Sequence, residues 1–284
     1  MKFAIFGQSY QENTESVTAE VLRVLDKNNI QIVIEKNFSD NFRNSTKNHS
    51  TFSEHNELDA SFDALISIGG DGTILRAVTF VRDKNIPIVG VNTGRLGFLA
   101  TVQIENIEAL LQKVINKEYT ISKRRLLELQ CTPRNPDLTD LNFALNEITV
   151  SRKDSTSMIT IETSLNGEYL TSYWADGLII STPTGSTGYS LSCGGPVLMP
   201  EVESLVVTPI APHNLNARPL VIPDETEVEL RVSGREEHYL VSLDSRITSV
   251  TNETLLRIRK TSFQINMIDR FSPVFWQGNC SFFS

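Results

Sequence analysis

The stretch Leu65-Ile66-Ser67-Ile68-Gly69-Gly70-Asp71-Gly72-Thr73 sets one carboxylate inside a glycine-rich turn, where an apolar strand ends and an amphipathic helix begins. Such a turn can hold phosphate and activate a hydroxyl. The glycines let the backbone approach a ligand closely, and the first amides of the following helix carry partial positive charge that suits an anion. Asp71 is the odd member, because an acid among those amides repels phosphate unless it binds a proton or a cation. A divalent metal or a substrate hydroxyl resolves that conflict. The alternative role for Asp71 is as N-cap of a helix from Ile74 to about Arg82, a stabilisation of about 1 kcal/mol.

A second glycine-rich element runs from Ser181 through Thr182-Pro183-Thr184-Gly185-Ser186-Thr187-Gly188-Tyr189-Ser190-Leu191-Ser192, after the apolar run Gly177-Leu178-Ile179-Ile180. Its hydroxyls and amides recognise sugar and phosphate oxygens without adding a fixed charge, which suits a nucleotide. Two acidic features lie at strand ends. Asn146-Glu147 interrupts the apolar run from Phe143 to Val150, where an uncompensated carboxylate is expensive; the alternative is an edge strand with Glu147 facing water. Asp176 precedes Gly177, either at a site or in an ordinary Asp-Gly turn.

The elements that position these residues can be read from periodicity. Residues 2–7, 30–35, 62–68 and 86–91 are short apolar runs ended by turn residues, as in buried parallel strands. Val17, Val21, Leu22, Val24 and Leu25 form one helical stripe after Asn13-Thr14, and Ile74, Leu75, Val78 and Val81 form another. This alternation predicts an α/β N-terminal domain with an open, Rossmann-like sheet over residues 1–102, its ligands outside the C-terminal ends of the strands. The polar stretch from about Asn37 to Asn56 reads as a mobile loop or lid, with His49 and His55 solvated.

A helix over about Ile104–Asn116 is expected to bridge two domains. Strands are then expected at 119–131, 143–151, 158–165, 168–174, 177–182, 218–222, 227–233, 238–243 and 255–260, with Asn166-Gly167 as a hairpin turn. Residues 103–284 thus read as a largely β C-terminal domain, whose last residues pack back on the first.

With 284 residues and 40% hydrophobic content, the chain can fill packed cores. No run approaches the roughly 20 apolar residues of a membrane span, and Met1 to Phe6 enters a strand without a signal-peptide pattern, so the expected location is cytoplasmic. Cys131, Cys193 and Cys280 lack metal or disulfide spacing and read as reduced, mostly buried thiols. A net charge of -8 argues against nucleic acid as partner. Lys123-Arg124-Arg125 reads as a solvated strand face, the alternative being contact with a phosphate.

The chain resembles the ATP/polyphosphate-dependent NAD kinases. The resemblance is carried by Gly69 to Thr73, GVNTGRLGFL at 90–99, NEITV at 146–150, ADGLIISTPTGSTGYSLSCGGP at 175–196 and TPIAPHNLNARPLVI at 208–222. It implies transfer of the γ-phosphate of ATP to the 2′-hydroxyl of the adenosine ribose of NAD, giving NADP. On that resemblance Asp71 is the catalytic base and, with Gly72, binds nucleotide. Arg76 contacts nucleotide, Asn146 and Glu147 hold ribose hydroxyls, and Asp176 contacts the dinucleotide. Thr187, Gly188, Tyr189, Ser190, Leu191 and Ser192 wrap it, and Ala211 joins this set. The residues supply no metal site of their own. The cation, Mg²⁺ or a similar ion, comes with ATP. No nucleic acid or membrane is implied, and the family suggests a homo-oligomer, dimer or tetramer.

Departures from the family pattern are informative. Asp244-Ser245-Arg246 stands where Asp-Gly-Gln is usual, so the turn should differ and Arg246 should add charge near the ligand. Gly188 replaces the commoner Ala, Trp174 replaces a basic residue of some relatives, and His213 after Pro212 reads as a turn residue. There is no GxxxxGK[ST] and no GxGxxG after a strand, which excludes a P-loop enzyme and disfavours hydride transfer. A lipid or sugar kinase shares the Gly-Gly-Asp-Gly turn, but the hydroxyl-rich loop counts against it. A non-catalytic NADP sensor is disfavoured by Asp71, Asn146 and Glu147 together.

Overall fold

Alternating outward and inward residues of short apolar strands give the first sheet two buried faces. The computed structural model describes residues 1–8, 13–94, 97–102, 106–153, 157–214 and 216–269. This sheet contains β1 (Lys2–Gly7), β2 (Gln31–Glu35), β3 (Ser50–Phe52), β4 (Ala64–Ile68), β5 (Ile88–Val91), β6 (Thr120–Arg124) and β19 (Ile265–Asp269), in the order β3-β2-β1-β4-β5-β19-β6. Every neighbouring pair is parallel except β19 with β6. The expected α/β layer is therefore present.

Helices cover both faces. Phe3 and Ile5 of β1 pack with Val17 and Leu25 of α1 (Thr14–Lys27) and with Ile107 and Leu111 of α5 (Ile107–Ile115). Ala4 and Phe6 point the other way, into a cluster with Ile74 and Val78 of α4 (Asp71–Val81). Strand order changes direction between β1 and β4, the switch point at which doubly wound sheets open a crevice.

Four local expectations are corrected. The segment 37–56 is not a structureless loop: α2 (Lys36–Asn41), α3 (Arg43–Thr46) and β3 fold there, because Phe38 and Phe52 are buried anchors and β3 pairs with β2. His49, in this segment, lies 3.8 Å from Asp26 with a mostly buried side chain, and burial lowers the pKa of His55. The helix expected to bridge two domains lies beside α1 on the first sheet. The basic run is not a solvated face, since Arg124 is buried and Arg125 pairs with Asp224 and Glu203.

The remaining strands form two antiparallel six-stranded sheets. One contains β7 (Leu127–Thr132), β8 (Phe143–Ala144), β10 (Ile159–Leu165), β11 (Glu168–Ala175), β15 (Val228–Ser233) and β18 (Leu255–Lys260), in the order β11-β10-β15-β18-β7-β8. The other contains β9 (Glu147–Arg152), β12 (Gly177–Ser181), β13 (Ser204–Ile210), β14 (Leu220–Pro223), β16 (His238–Leu243) and β17 (Arg246–Thr251), in the order β14-β13-β12-β9-β16-β17. Their inner faces share one core, in which Leu129, Ile161, Leu230 and Ile258 meet Ile148, Val150, Leu178, Val207 and Val241. The run read as one strand over 119–131 is two strands in different sheets. The strand at 204–210 had no separate sequence signal. Asn166-Gly167 does turn a hairpin between β10 and β11, with Asn166 at φ 52° and Gly167 at φ 82°.

Candidate active site

The glycine-rich turn delivers Asp71 to the first turn of α4, at the carboxyl end of a fully buried strand. The helix begins three residues earlier than its apolar stripe suggested, and its N-cap is Gly70; the Asp71 side chain caps nothing. Instead the carboxylate crosses to the turn after β5. Its Oδ1 accepts from the backbone N–H of Leu99 at 3.0 Å and of Ala100 at 2.9 Å, and its Oδ2 accepts from Phe98 at 2.9 Å. A carboxylate offers about four lone-pair positions, so one on Oδ2 is left for another donor. Gly72 beside it is exposed.

A second group of polar atoms gathers where β9 begins. Asn146 Oδ1 and Glu147 Oε2 are buried without a hydrogen-bond partner, a costly arrangement that points to a ligand with hydroxyls or amides. Burial, reinforced by the neighbouring Asp244, pushes the Glu147 carboxyl up to about 8. Glu147 starts a central strand, so its reading as an exposed edge residue fails. The hydroxyl-rich loop packs on the same pair. Thr182 donates its N–H to the Asn146 carbonyl at 2.9 Å and its hydroxyl to the Leu145 carbonyl at 2.6 Å. Gly185 approaches so closely that a Cβ there would lie 2.1 Å from the Asn146 oxygen. Gly188 lies over the side chains, its hypothetical Cβ 3.2 Å from Glu147 Oε2.

Asp244 fixes this geometry from the far side. Its carboxylate accepts from the N–H groups of Leu145 at 2.9 Å, Asn146 at 2.8 Å and Glu147 at 3.2 Å. Sequence reasoning noticed its turn but not this role, which depends on a contact across about a hundred residues. The left-handed residue is Asp244 itself, at φ 53°, so Ser245 carries no strain. The Arg246 guanidinium donates to the carbonyls of Leu141 and Phe143 and lies 5.6 Å from the Phe143 ring.

The two groups share one apolar foundation. Ile74 of α4, Leu99 and Ala100 of the Asp71-holding turn, and Leu145 next to Asn146 belong to a single buried cluster. Arg76 is exposed one turn along α4. With the Gln8 amide oxygen turned toward it, that oxygen accepts from Arg76 Nε at 3.0 Å and Nη1 at 2.7 Å. Asp176 lies between β11 and β12, ion-paired to Arg152 at 3.0 Å. It also acts on Tyr189, whose phenol is pushed up by burial, Cys193 and Asp176.

Thr187 ends a short 3-10 turn, and α6 (Tyr189–Ser192) follows through Gly188. Tyr189 and Leu191 are exposed. Ser190 is buried, its hydroxyl bonded to Thr208 at 2.8 Å, so only its backbone can serve a ligand. Ala211 follows β13 at φ 44° and is exposed. His213 bonds the Trp174 carbonyl through its N–H at 2.8 Å, and the two rings lie 5.3 Å apart. Cys131 and Cys193 are free and half-buried.

Among the described residues no three His, Cys, Asp or Glu side chains gather to hold a metal. The donor chemistry present, a single carboxylate at a helix N-terminus, fits an ion that takes most of its ligands from phosphate and water.

A doubly wound sheet with a carboxylate at a glycine-rich helix start, joined to an antiparallel β sandwich that offers unsatisfied polar atoms, defines a two-domain nucleotide kinase. The ATP-NAD kinase N-terminal domain matches residues 3–119 and the ATP-NAD kinase C-terminal domain matches residues 145–270. The NAD kinase of Flavobacterium psychrophilum is 66% identical over 273 residues, covering 95% of this chain and 92% of that protein. That of Flavobacterium johnsoniae is 62% identical over 272 residues, with the same coverages of 95% and 92%. The crystal structure of an NAD kinase from Archaeoglobus fulgidus in complex with ATP superposes with TM-score 0.74 at 27% identity, covering 95% of this chain and 94% of that one. Yeast NADH kinase complexed with NADH shares the fold at TM-score 0.88 and 22% identity, covering 100% of this chain and 87% of that one. The chain belongs to the NAD kinase family.

Proposed function

We propose that the protein transfers the γ-phosphate of ATP to the 2′-hydroxyl of the adenosine ribose of NAD, giving NADP. The observation that carries this reading is the Asp71 carboxylate, held by three backbone amides with one lone pair of Oδ2 spare, together with the orphaned polar atoms of Asn146 and Glu147, whose neighbour Leu145 shares a buried cluster with Leu99 and Ala100. Those atoms suit ribose hydroxyls: the amide oxygen of Asn146 accepts, and a protonated Glu147 donates.

The chemistry assigns each residue a task. A ribose hydroxyl is a weak nucleophile, and a positioned carboxylate base contributes typically about 10²–10⁴-fold. The amides of residues 98–100 keep Asp71 in one orientation, so little reorganisation accompanies proton transfer. The amides at the start of α4 and Arg76 draw in phosphate oxygens. Gly72, Asp176, the segment Thr187–Ser192 and Ala211 complete the dinucleotide contacts. Asp71 would be the side chain nearest a divalent cation carried in with ATP, Mg²⁺ being the natural one, and that cation would supply charge neutralisation to the phosphates.

The same reading makes the protein a cytoplasmic homo-oligomer without nucleic-acid or membrane partners. Among the described residues no helix is long and apolar enough to cross a membrane. The test is direct: the protein is incubated with ATP, Mg²⁺ and NAD, and NADP is measured enzymatically. NADP formation at one equivalent per ADP supports the reading. ATP consumption with a lipid or sugar acceptor and none with NAD would overturn it, as would dinucleotide binding without product.

A further inference from the structure

We propose that the cavity at the carboxyl ends of β1 and β2 seats the adenosine half of the donor ATP, with Glu35 holding its ribose. This rests on the kinase reading above and adds where the donor lies. The cavity is about 300 Å³, within the range of small-ligand clefts, and opens between β1, the β2–α2 corner and the outer side of α4. It lies at the carboxyl ends of two neighbouring parallel strands, the end of a doubly wound sheet at which ligands are accepted. The acceptor groups, Asn146 and Glu147, belong to the β sandwich, which leaves this side of α4 for the second substrate.

Glu35 is the distinctive lining residue. It is only 4% exposed, although it is charged and ends a strand. Its Oε2 accepts from the Phe38 N–H at 2.8 Å and its Oε1 from Asn37 Nδ2 at 2.9 Å. These bonds fix the carboxylate before any ligand arrives, and each oxygen keeps a second lone pair. A vicinal diol is the partner that such a pair of acceptors matches. Phe80 offers a flat wall for a base and is itself braced by Phe6 at 5.2 Å and Phe52 at 5.7 Å between ring centroids.

The cavity also leads to the reacting centre. Arg76 lines it and lies five residues after Asp71, a rise of about 7.5 Å along α4, which a triphosphate chain covers. Adenosine in the cavity therefore brings its phosphates past Arg76 to the glycine-rich turn. The γ-phosphate then meets the acceptor at Asp71.

The test uses the full chain and isothermal titration with Mg·ATP, alongside steady-state kinetics. Thr79→Trp places an indole in the cavity from the outer side of α4, away from the buried core. It is expected to weaken Mg·ATP binding and raise the KM for ATP at least about 20-fold, with NAD binding unchanged within about twofold. Glu35→Gln removes the anionic acceptor while conserving shape. Wild type is expected to bind ATP about tenfold or more tightly than 2′,3′-dideoxy-ATP, the scale of a charge-assisted hydrogen bond, and Glu35→Gln to bring that ratio near unity.

Unchanged ATP binding in Thr79→Trp, no ATP binding by wild type, or the same dideoxy ratio in both proteins would overturn the proposal. Loss of NAD and ATP binding together in Thr79→Trp would also overturn it, since the cavity would then not be specific to the donor. ATP binding that is sensitive to Thr79→Trp, in a protein that makes no NADP, would instead sink the kinase reading and leave the cavity assignment standing.

Discussion

Gly97 stands so close to Asp71 that a Cβ built on it would lie 2.1 Å from Oδ1 and 2.6 Å from Cγ of the carboxylate. Glycine is required there because the amides of residues 98–100 can grip Asp71 only if nothing projects from Gly97. Gly97→Ala is therefore expected to displace the carboxylate while the core stays packed, since a side-chain end gives way more easily than backbone. Turnover should fall at least about 100-fold, the scale of a misplaced general base, with Tm shifted by no more than about 4 °C. Paired activity and thermal-melt measurements check this.

Asp71→Asn tests the base itself. The amide oxygen can keep the bonds from Leu99 and Ala100, but the new NH₂ group faces the Phe98 N–H, so about one hydrogen bond, roughly 1 kcal/mol, is lost. The variant should fold and bind NAD nearly as the parent does, with kcat reduced about 10²–10⁴-fold. NADP formation at the parental rate would show that Asp71 is not the base.

Glu147 should leave a signature in the pH dependence of stability. Its carboxyl is pushed up to about 8 by burial and by Asp244, from an ordinary value near 4.5, so the folded protein binds more protons than the unfolded chain between those values. Asp244, raised by its own burial, acts with the same sign. Stability from this source is complete below about pH 4.5 and declines as pH rises toward about 8. Glu147→Gln, which stays neutral, is expected to flatten that decline. Melting temperatures of both proteins from pH 5 to 8.5, without ligand, give the comparison.

Asp244→Ala removes one acceptor from three backbone donors, those of Leu145, Asn146 and Glu147. A cost of about 3 kcal/mol is expected, since bonds to a charged acceptor are worth about 1.5–3 kcal/mol and water repairs part of the loss. The KM for NAD should rise by about tenfold or more, because the strand start that aims Asn146 and Glu147 is loosened. Arg246→Gln is a useful contrast. It gives up bonds to Leu141 and Phe143, so it should lower stability by about 1–2 kcal/mol and leave the KM for NAD nearly unchanged. Chemical denaturation and steady-state kinetics separate the two.

Much of the first sheet could be read directly from residue order. Ala64 to Ile68 is apolar except for Ser67 and wholly buried because both faces of a central parallel strand are covered, and the helical stripes of α1 and α4 largely match the residues they bury. The segment 37–56 misled because its polar composition hid two aromatic anchors, Phe38 and Phe52, and burial of a few large side chains outweighs an average. The break of residues 119–131 into β6 and β7 was equally invisible. Each half pairs with a strand more than a hundred residues away, β6 with β19 and β7 with β18.

Local sequence determined that a carboxylate stands in a glycine-rich turn at a helix start and that a hydroxyl-rich loop follows a buried strand, since turn chemistry and periodicity act over a few residues. Its longer motifs also placed the chain in its family. Only the tertiary structure decided what each polar group faces: Asp71 turns to the amides of 98–100 instead of capping α4, Asp244 grips 145–147, Arg246 binds the carbonyls of Leu141 and Phe143, and Asn146 and Glu147 keep buried atoms without partners. The physical reason is that a buried polar group must find a partner wherever packing brings one, and packing is set by all the strands at once.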